Sequence, residues 1–400
     1  MNILEVSQNL DLRGGSDAMF LKSVELLRRA GHEVRTFAAR PTGEHAAAGG
    51  FEQLPDASHF ERPHPGNVWK FLYSPEARRA MDRLLAAAPA DVAHFHIYYG
   101  RLTASIIAPV RRRDIPIVHH LHDFRSYCSV YTSMRAGRTC LDCRVGSYLP
   151  GLANRCNRGS LARSLMSTAE MYVADRLGRL SEVAAFVAVS EFQGARLIAQ
   201  GLDANRLRVL PNPVDRRFLE APQCQGDSML FVGRVETYKG IYQFLDAARA
   251  LPEVGFVVAG DGGERRRAMR YAKEHGIANV SFLGSRSQDQ VVALMRDARA
   301  VVVPSVWEEP FGLTAAEAMA AGVAVVASAS GGLEEVVSDG EAGYLVPAGD
   351  ADALGERLRQ LAGDAALAAR LGQRGKAIAR ERFSEDSYVE RLVGIFHDVR

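Results

Sequence analysis

Met229-Leu230-Phe231-Val232-Gly233-Arg234-Val235-Glu236-Thr237-Tyr238-Lys239-Gly240 is the stretch on which the fold turns. Four apolar residues run into a glycine, then into a loop carrying two cations. A short apolar run that stops at glycine reads as a buried strand feeding a turn. The same grammar recurs along the chain. Downstream, strands are expected at Gly255–Gly260, Val280–Gly284, Ala300–Pro304, Val323–Ser328 and Tyr344–Val346. Upstream they are expected at Asn2–Ser7, His32–Ala39, Val92–His96, Ile115–His122, Ala184–Ser190 and Leu207–Leu210. Helical segments separate them, which is the signature of βα units on a parallel sheet. The fold class is therefore α/β: two Rossmann-like domains facing each other, with a ligand cleft at the carboxyl ends of both sheets.

Pro211-Asn212-Pro213 and the polar residues 221–228 mark the boundary. Residues 1–212 form the first domain, with an irregular cysteine-containing loop at 124–160. Residues 213–228 are a linker and residues 229–380 the second domain. Residues 381–400 make a terminal helix able to pack back on the first domain. Asp350–Arg380 is Ala/Leu-rich and expected to be helical. The stretches Gly240–Leu245 and Asp386–Val399 are the ones that could cross between domains.

Apolar residues make up 47% and charged residues 24% of the 400, which excludes a disordered or disulfide-scaffold chain. The formal charge of +2 hides an asymmetry. Residues 1–212 hold 27 Lys and Arg against 20 Asp and Glu; residues 213–400 hold 22 against 27. The segment Arg101–Arg158 alone has ten Arg against three Asp, so it accounts for the whole excess of the first half. Only five cations are lysines (22, 70, 239, 273 and 376), so Lys239 carries more information than a typical Arg. No run of 18 apolar residues spans a membrane, and Met1–Leu10 lacks the features of a secretory signal. The expected location is cytoplasmic, where disulfides are disfavoured.

Four constellations sit at expected strand ends. Arg13-Gly14-Gly15-Ser16 opens a helix, where close backbone N–H groups suit a phosphate; a tight turn is the bland alternative. Arg234 and Lys239 lie five apart in one loop and can meet at one diphosphate, Arg as a planar fork and Lys as a point charge. Two exposed charges on a solvated turn are the alternative there. Glu309 precedes the helix that begins near Gly312, and Glu317 lies within it. A carboxylate accepts two hydrogen bonds from a vicinal diol, so this pair suits sugar hydroxyls. Glu317 sits among Ala315, Ala316, Ala318 and Met319, where an unpartnered carboxylate is costly. In His119-His120-Leu121-His122-Asp123, alternation puts His120 and His122 on one face and His119 on the other. His122 reaches the rim, while His119 and His120 read as core; a zinc trio is disfavoured because neighbours point apart. Asp350-Ala351-Asp352 reads as a helix cap, not a Mg²⁺ site.

These residues resemble the retaining glycosyltransferases of family 4, which have the GT-B fold. The resemblance is carried by Phe231-Val232-Gly233-Arg234 with Lys239-Gly240, Val258-Ala259-Gly260-Asp261-Gly262, Glu309–Gly322, Val325–Ser328 with Gly331-Gly332-Leu333-Glu334-Glu335, and Asp339-Gly340 with Gly343. A looser likeness covers Gly14-Gly15-Ser16, His122-Asp123, Val189-Ser190 and Pro211-Asn212-Pro213-Val214-Asp215. It implies transfer of a sugar from a nucleotide-diphosphate donor to a glycan or lipid-linked acceptor, in bacterial polysaccharide or glycoconjugate synthesis. Arg234 and Lys239 would hold the leaving diphosphate and Gly15 would bind it through the backbone. Glu317 would hold the ribose. Glu309, Phe311, Gly312 and Leu313 would contact the donor sugar and phosphate, with His122 beside the sugar and acceptor. The implied mechanism is front-face attack, with no metal required for catalysis. A nucleotide-sugar epimerase on the same fold is the second enzyme reading.

Cys128, Cys140, Cys143 and Cys156 follow directly, spaced C-x11-C-x2-C-x12-C. C-x2-C is half of a tetrahedral zinc site, so structural zinc is one reading and four free thiols the other. Cys224, in the linker, reads as a bystander. The same segment carries Arg125, Arg135, Arg138, Arg144, Arg155 and Arg158 with Tyr127, Tyr131 and Tyr148. That composition suits a lipid-diphosphate acceptor or peripheral contact with an anionic membrane. A zinc-organised binding module is the reading from a different class; no nucleic-acid partner is expected.

Overall fold

The computed structural model describes residues 1–10, 14–39, 64, 66–220 and 226–400. Arg13, Cys224 and the middle of the linker lie outside the described residues. Strands β1 (Asn2–Val6), β2 (Glu33–Phe37), β3 (Val92–Phe95) and β4 (Ile117–Leu121) belong to the first sheet. A separate hairpin, β5 (Met134–Arg135) with β6 (Arg138–Thr139), interrupts the series. β7 (Val183–Ala188) and β8 (Leu207–Val209) complete the first sheet. The second comprises β9 (Ser228–Val232), β10 (Phe256–Ala259), β11 (Val280–Gly284), β12 (Ala298–Val303), β13 (Ala324–Ala329) and β14 (Gly343–Pro347). Both sheets are parallel, ordered β2-β1-β3-β4-β7-β8 and β11-β10-β9-β12-β13-β14. β3 and β4 are buried along their whole length, as parallel strands covered by helices on both faces must be.

In each sheet the chain leaves its first strand in one direction and returns on the other side, between β1 and β3 and between β9 and β12. Ligands bind outside the carboxyl ends of strands at such a switch point. The residues that leave those ends are Gly15 after β1, His96 after β3, His122 after β4, Arg234 after β9 and Glu309 after β12. Topology therefore collects in space what the sequence scatters.

Asp350–Arg380 does not form one helix. It breaks at Asp364 into Ala351–Gly363 and Ala365–Arg382. Gly363 weakens the first helix, and the Asp364 carboxylate accepts the backbone N–H of Leu367, capping the second. Asp350 caps the first helix in the same way, through Ala353, as expected for that D-x-D. Ile241, Phe244 and Leu245 pack in the core of the second half, not across it. The helix Glu385–Asp398 does cross. Its Tyr388, Leu392, Ile395 and Phe396 pack with Ile3, Phe20 and Leu27 of the first half.

Polar contacts close the two halves. Ser190 Oγ donates to the Pro310 carbonyl at 2.5 Å, and Arg196 pairs with Glu308 at 2.5 Å. The Glu335 carboxylate accepts the backbone N–H groups of Glu191 and Phe192, which open the helix Glu191–Ala199. A negative charge there meets the positive end of the helix dipole. No described helix is long and apolar enough to cross a membrane.

Candidate active site

Glu309 is the most constrained group of the second half. It is buried, and its Oε1 accepts both Lys239 Nζ at 2.6 Å and Ser305 Oγ at 2.6 Å. Burial alone would raise its carboxyl, but the Lys239 charge and these hydrogen bonds hold it below the usual range. Lys239 also lies 5.1 Å from the centre of the Trp307 ring. The lysine singled out by composition is thus fixed beside a carboxylate. Arg234 stays exposed, its guanidinium 5.6 Å from the Tyr238 ring and donating to the Tyr131 hydroxyl of the first half.

Gly312 has φ +100, and a Cβ there would meet Leu333 Cδ2 at 2.4 Å, so only glycine fits. It opens the helix Leu313–Ala320, whose first N–H groups have no side-chain cap. The helix Gly15–Arg29 of the first half is uncapped as well. The two ends face each other: a Cβ on Gly15 would lie 3.9 Å from Leu313 Cδ2. Two sets of backbone donors thus converge on the cleft, the arrangement that binds phosphate. The Phe311 ring turns away into the core against Phe383, leaving only its backbone for the cleft.

Glu317 makes no hydrogen bond or ion pair with any described residue. Burial, with a smaller contribution from the Asp215 charge, pushes its carboxyl up to about 8. The expectation that an unpartnered carboxylate in this apolar helix is costly is met by a proton.

The first half offers a different structure. His122 Nε2 is 2.8 Å from His96 Nδ1, and His96 Nε2 is 2.9 Å from Glu5 Oε2. Glu5 Oε1 is 2.8 Å from His94 Nδ1 and accepts Ser23 Oγ at 3.0 Å. The chain runs from rim to core through β1, β3 and β4. Burial pushes the His122 imidazole down to about 3 and that of His96 well below its ordinary value, so both are neutral. With Glu5 as a carboxylate, His96 donates from Nε2 and accepts at Nδ1. His122 then carries its proton on Nε2 and keeps a lone pair on Nδ1. His119 lies on the opposite face against Tyr98 and Tyr99, and His120 is buried, as alternation requires.

Two triads, His96–His120–His122 and Glu5–His94–His96, bring one ligand atom from each residue within 4.8 Å of the others. In the second triad both histidines are already hydrogen-bonded to Glu5, and in the first the rings of His96, His120 and His122 are within 17° of parallel. Parallel rings cannot all aim a lone pair at one ion, so we read this as a hydrogen-bonded column. Asp123, next along the rim, is pushed up to about 6 by burial despite the nearby charges of Arg125, Arg179 and Arg234.

Sequence reasoning located Gly15, Arg234, Lys239, Glu309, Gly312, Leu313, Glu317 and His122 near one cleft, and the structure brings them there. It missed Glu5, His94 and His96, and it quoted Asp123 only as part of the His122-Asp123 motif. The available signal was the i, i+2 spacing in His94-Phe95-His96, matched by His120-Leu121-His122 on the adjacent strand.

Two family models match the chain. One, described as "Glycosyl transferase 4-like domain", covers residues 14–213; the other, "Glycosyl transferases group 1", covers residues 221–378. A phosphatidyl-myo-inositol mannosyltransferase of Mycolicibacterium smegmatis is 29% identical over 367 residues, covering 88% of this chain and 81% of its own. A D-inositol 3-phosphate glycosyltransferase of Mycolicibacterium paratuberculosis is 34% identical over 248 residues, 58% of this chain and 55% of its own. Among solved structures, sucrose-phosphate synthase from Thermosynechococcus elongatus superposes with a TM-score of 0.76 at 20% identity, covering 100% of this chain and 98% of that one. Anabaena HepE in complex with UDP and glucose gives 0.72 at 20% identity, with both chains fully covered.

Proposed function

The chain belongs to the family 4 glycosyltransferases of the GT-B fold, and from that premise we propose a finer reading. It transfers a sugar, with retention at the anomeric carbon, from a nucleoside-diphosphate donor to a glycan or lipid-linked acceptor. The observation that carries this reading is the cluster around the helix Leu313–Ala320. A pinned Lys239–Glu309 pair, an unpartnered Glu317 and two uncapped helix ends converge on one cleft. The complexes with UDP among the similar structures support a nucleoside diphosphate as the occupant.

In this reading the ribose diol donates to Glu317, which must lose its proton to accept both hydroxyls. The diphosphate lies between the helix ends and takes the charges of Arg234 and Lys239 as it departs. Both cations are in place beforehand, one on Tyr238 and the other on Glu309, so little reorganisation is needed when charge develops. Glu309 faces the donor sugar. His122, with its tautomer set by Glu5 through His96, offers Nδ1 as an acceptor for a sugar hydroxyl. The departing phosphate oxygen takes the proton of the incoming acceptor hydroxyl on the same face. Glu309 and His122 position; they do not attack.

The acceptor side follows from the surface of residues 131–165. Leu149, Leu161 and Leu165 are 60%, 56% and 55% exposed, amid exposed Arg135, Arg138, Arg144, Arg155, Arg158 and Arg163. Leucines among arginines suit an acyl-chain boundary under anionic headgroups. The phosphatidyl-myo-inositol mannosyltransferase among the relatives supports the lipid-linked option. A nucleotide-sugar epimerase is disfavoured, since both matching family models describe glycosyl transferases.

The test is a panel of UDP-, GDP- and ADP-sugars screened by thermal shift, then product analysis by NMR. The reading expects one donor class to raise the melting temperature and its sugar to reach the acceptor with unchanged anomeric configuration. An inverted product, or sugar rearrangement without an acceptor, would overturn it.

A further inference from the structure

The segment between Phe124 and Gly159 is used by the proposed function only for its surface, yet its interior is unusual. Its regular structure amounts to the β5–β6 hairpin and the five-residue helix Leu149–Ala153. Five non-glycine residues within it, Tyr131, Ser133, Ala136, Arg155 and Arg158, hold φ between +48 and +62. Left-handed backbone at such residues persists only where the surroundings over-determine it. Backbone hydrogen bonds outside regular elements tie four of them, Tyr131, Ser133, Arg155 and Arg158.

One cavity lies inside this segment, and all four of its cysteines line it. Its volume is about 10 Å³, room for a single water-sized sphere. Of the remaining wall, Val130, Met134 and Pro150 are apolar, and Tyr127, Ser129, Asp142 and Asn154 are polar. None of the four thiols is in a disulfide. Three of them start from backbone that is already tied: Cys128 N–H donates to Phe124, Cys140 N–H to Ser133 and Cys156 N–H to Gly151. The sulfurs surround the cavity without yet meeting, since no three are within 4.8 Å of one another among the described residues. Each sulfur is one side-chain torsion from its backbone, so closing on an ion requires only rotation about that bond.

We propose that Cys128, Cys140, Cys143 and Cys156 bind a structural zinc ion in this cavity. Zinc takes four thiolates tetrahedrally and closes the shell, leaving no open position for chemistry. Binding balances as four thiols releasing four protons to solvent while the ion enters, with no redox change. The resulting site carries a net charge of −2, and the exposed Arg135, Arg138, Arg144 and Arg155 lie in the same segment. This gives the arginine excess of 101–158 a second use, as compensation for a buried anionic centre.

The site also bears on the cleft. Tyr131, three residues after Cys128, accepts from Arg234, and Thr139, beside Cys140, hydrogen-bonds to Glu308. A metal here would fix the loop that seats the Arg234 guanidinium.

The test uses the full chain purified without chelator, in a Cys224→Ser background. Elemental analysis should find about one zinc per chain. Titration with a thiol-specific reagent should release that zinc, read with a colorimetric chelator, in step with modification of the four thiols. Cobalt substitution should give the intense thiolate-to-metal absorption of a tetrahedral site. Cys140→Ser with Cys143→Ser should lose the zinc. If that variant fails to fold, the titration and the cobalt spectrum on the parent protein still decide. Metal-free protein with freely reactive thiols, a disulfide between Cys140 and Cys143 found by mass spectrometry, or a zinc content unchanged by Cys→Ser would each overturn the proposal. Nucleotide binding by the second half does not depend on this outcome, so the two readings fail separately.

Discussion

The two walls of the cleft are built differently. The wall after β9 and β12 places its chemistry on short loops and one helix end, where Arg234, Lys239, Glu309 and Glu317 lie within a few residues of a glycine. The wall after β1, β3 and β4 places its chemistry inside the sheet, where Glu5, His94, His96 and His122 connect residues 89 and 91 apart in sequence. One wall is local and charged. The other is long-range and, at His96 and His122, neutral. A departing diphosphate needs fixed cations, whereas a sugar hydroxyl needs an oriented neutral partner, so the difference tracks the two tasks assigned above.

If the charged wall carries the leaving group, Lys239→Ala should have the largest effect. It removes a cation and leaves Glu309 buried without its partner. Initial rates with the cognate donor should fall about 10²–10³-fold, the cost typical of losing one preorganised stabilising group. A loss of only a few-fold would break the comparison on this side.

Glu317→Ala should weaken nucleotide affinity about 10–100-fold, the cost of two hydrogen bonds to a charged group. The carboxyl also predicts a pH effect. In the free protein it titrates near 8, and accepting two hydroxyls favours the ionised form. Nucleotide binding should therefore release a proton near pH 7 and tighten as pH rises towards 8. Folding stability runs the other way. The folded state holds a proton that the unfolded chain has lost, so this contribution is full below the ordinary carboxyl range and is lost as pH rises through about 8. Denaturant titrations at several pH values should show that slope flatten in Glu317→Gln.

On the neutral wall, Glu5→Gln should lower kcat about 10-fold with donor KM little changed, in the range found when the support of a first-contact histidine is removed. Glu5→Asp should recover part of the loss. Equal loss in both constants would reduce the histidine column to packing. The smallest effect belongs to Glu335→Gln, which weakens a helix-end contact worth about 0.3–1 kcal/mol. It should loosen closure, seen as a few-fold rise in KM for both substrates.

The same contrast explains what the sequence made legible. Strands of the second half show themselves as apolar runs ending in glycine, and their binding residues follow within one loop, so local reading suffices. The break at Asp364 was hidden because Ala and Leu on both sides favour helix, and a single capping aspartate decides it. Glu5 reads as one polar residue in an apolar strand. Its partners on β3 and β4 become neighbours only once the strand order β1-β3-β4 is known. The four cysteines were visible as spacing, but their shared cavity was not, since irregular backbone has no periodicity to follow.

The central claim is that the cleft holds a nucleoside diphosphate through Glu317, Lys239 and Arg234. Calorimetric titration with UDP, GDP and ADP at pH 7, in two buffers of different ionisation enthalpy, tests it most directly. One nucleotide should bind with proton release, and Glu317→Gln should abolish that release. Absence of binding by all three, or proton release unchanged in Glu317→Gln, would contradict the account.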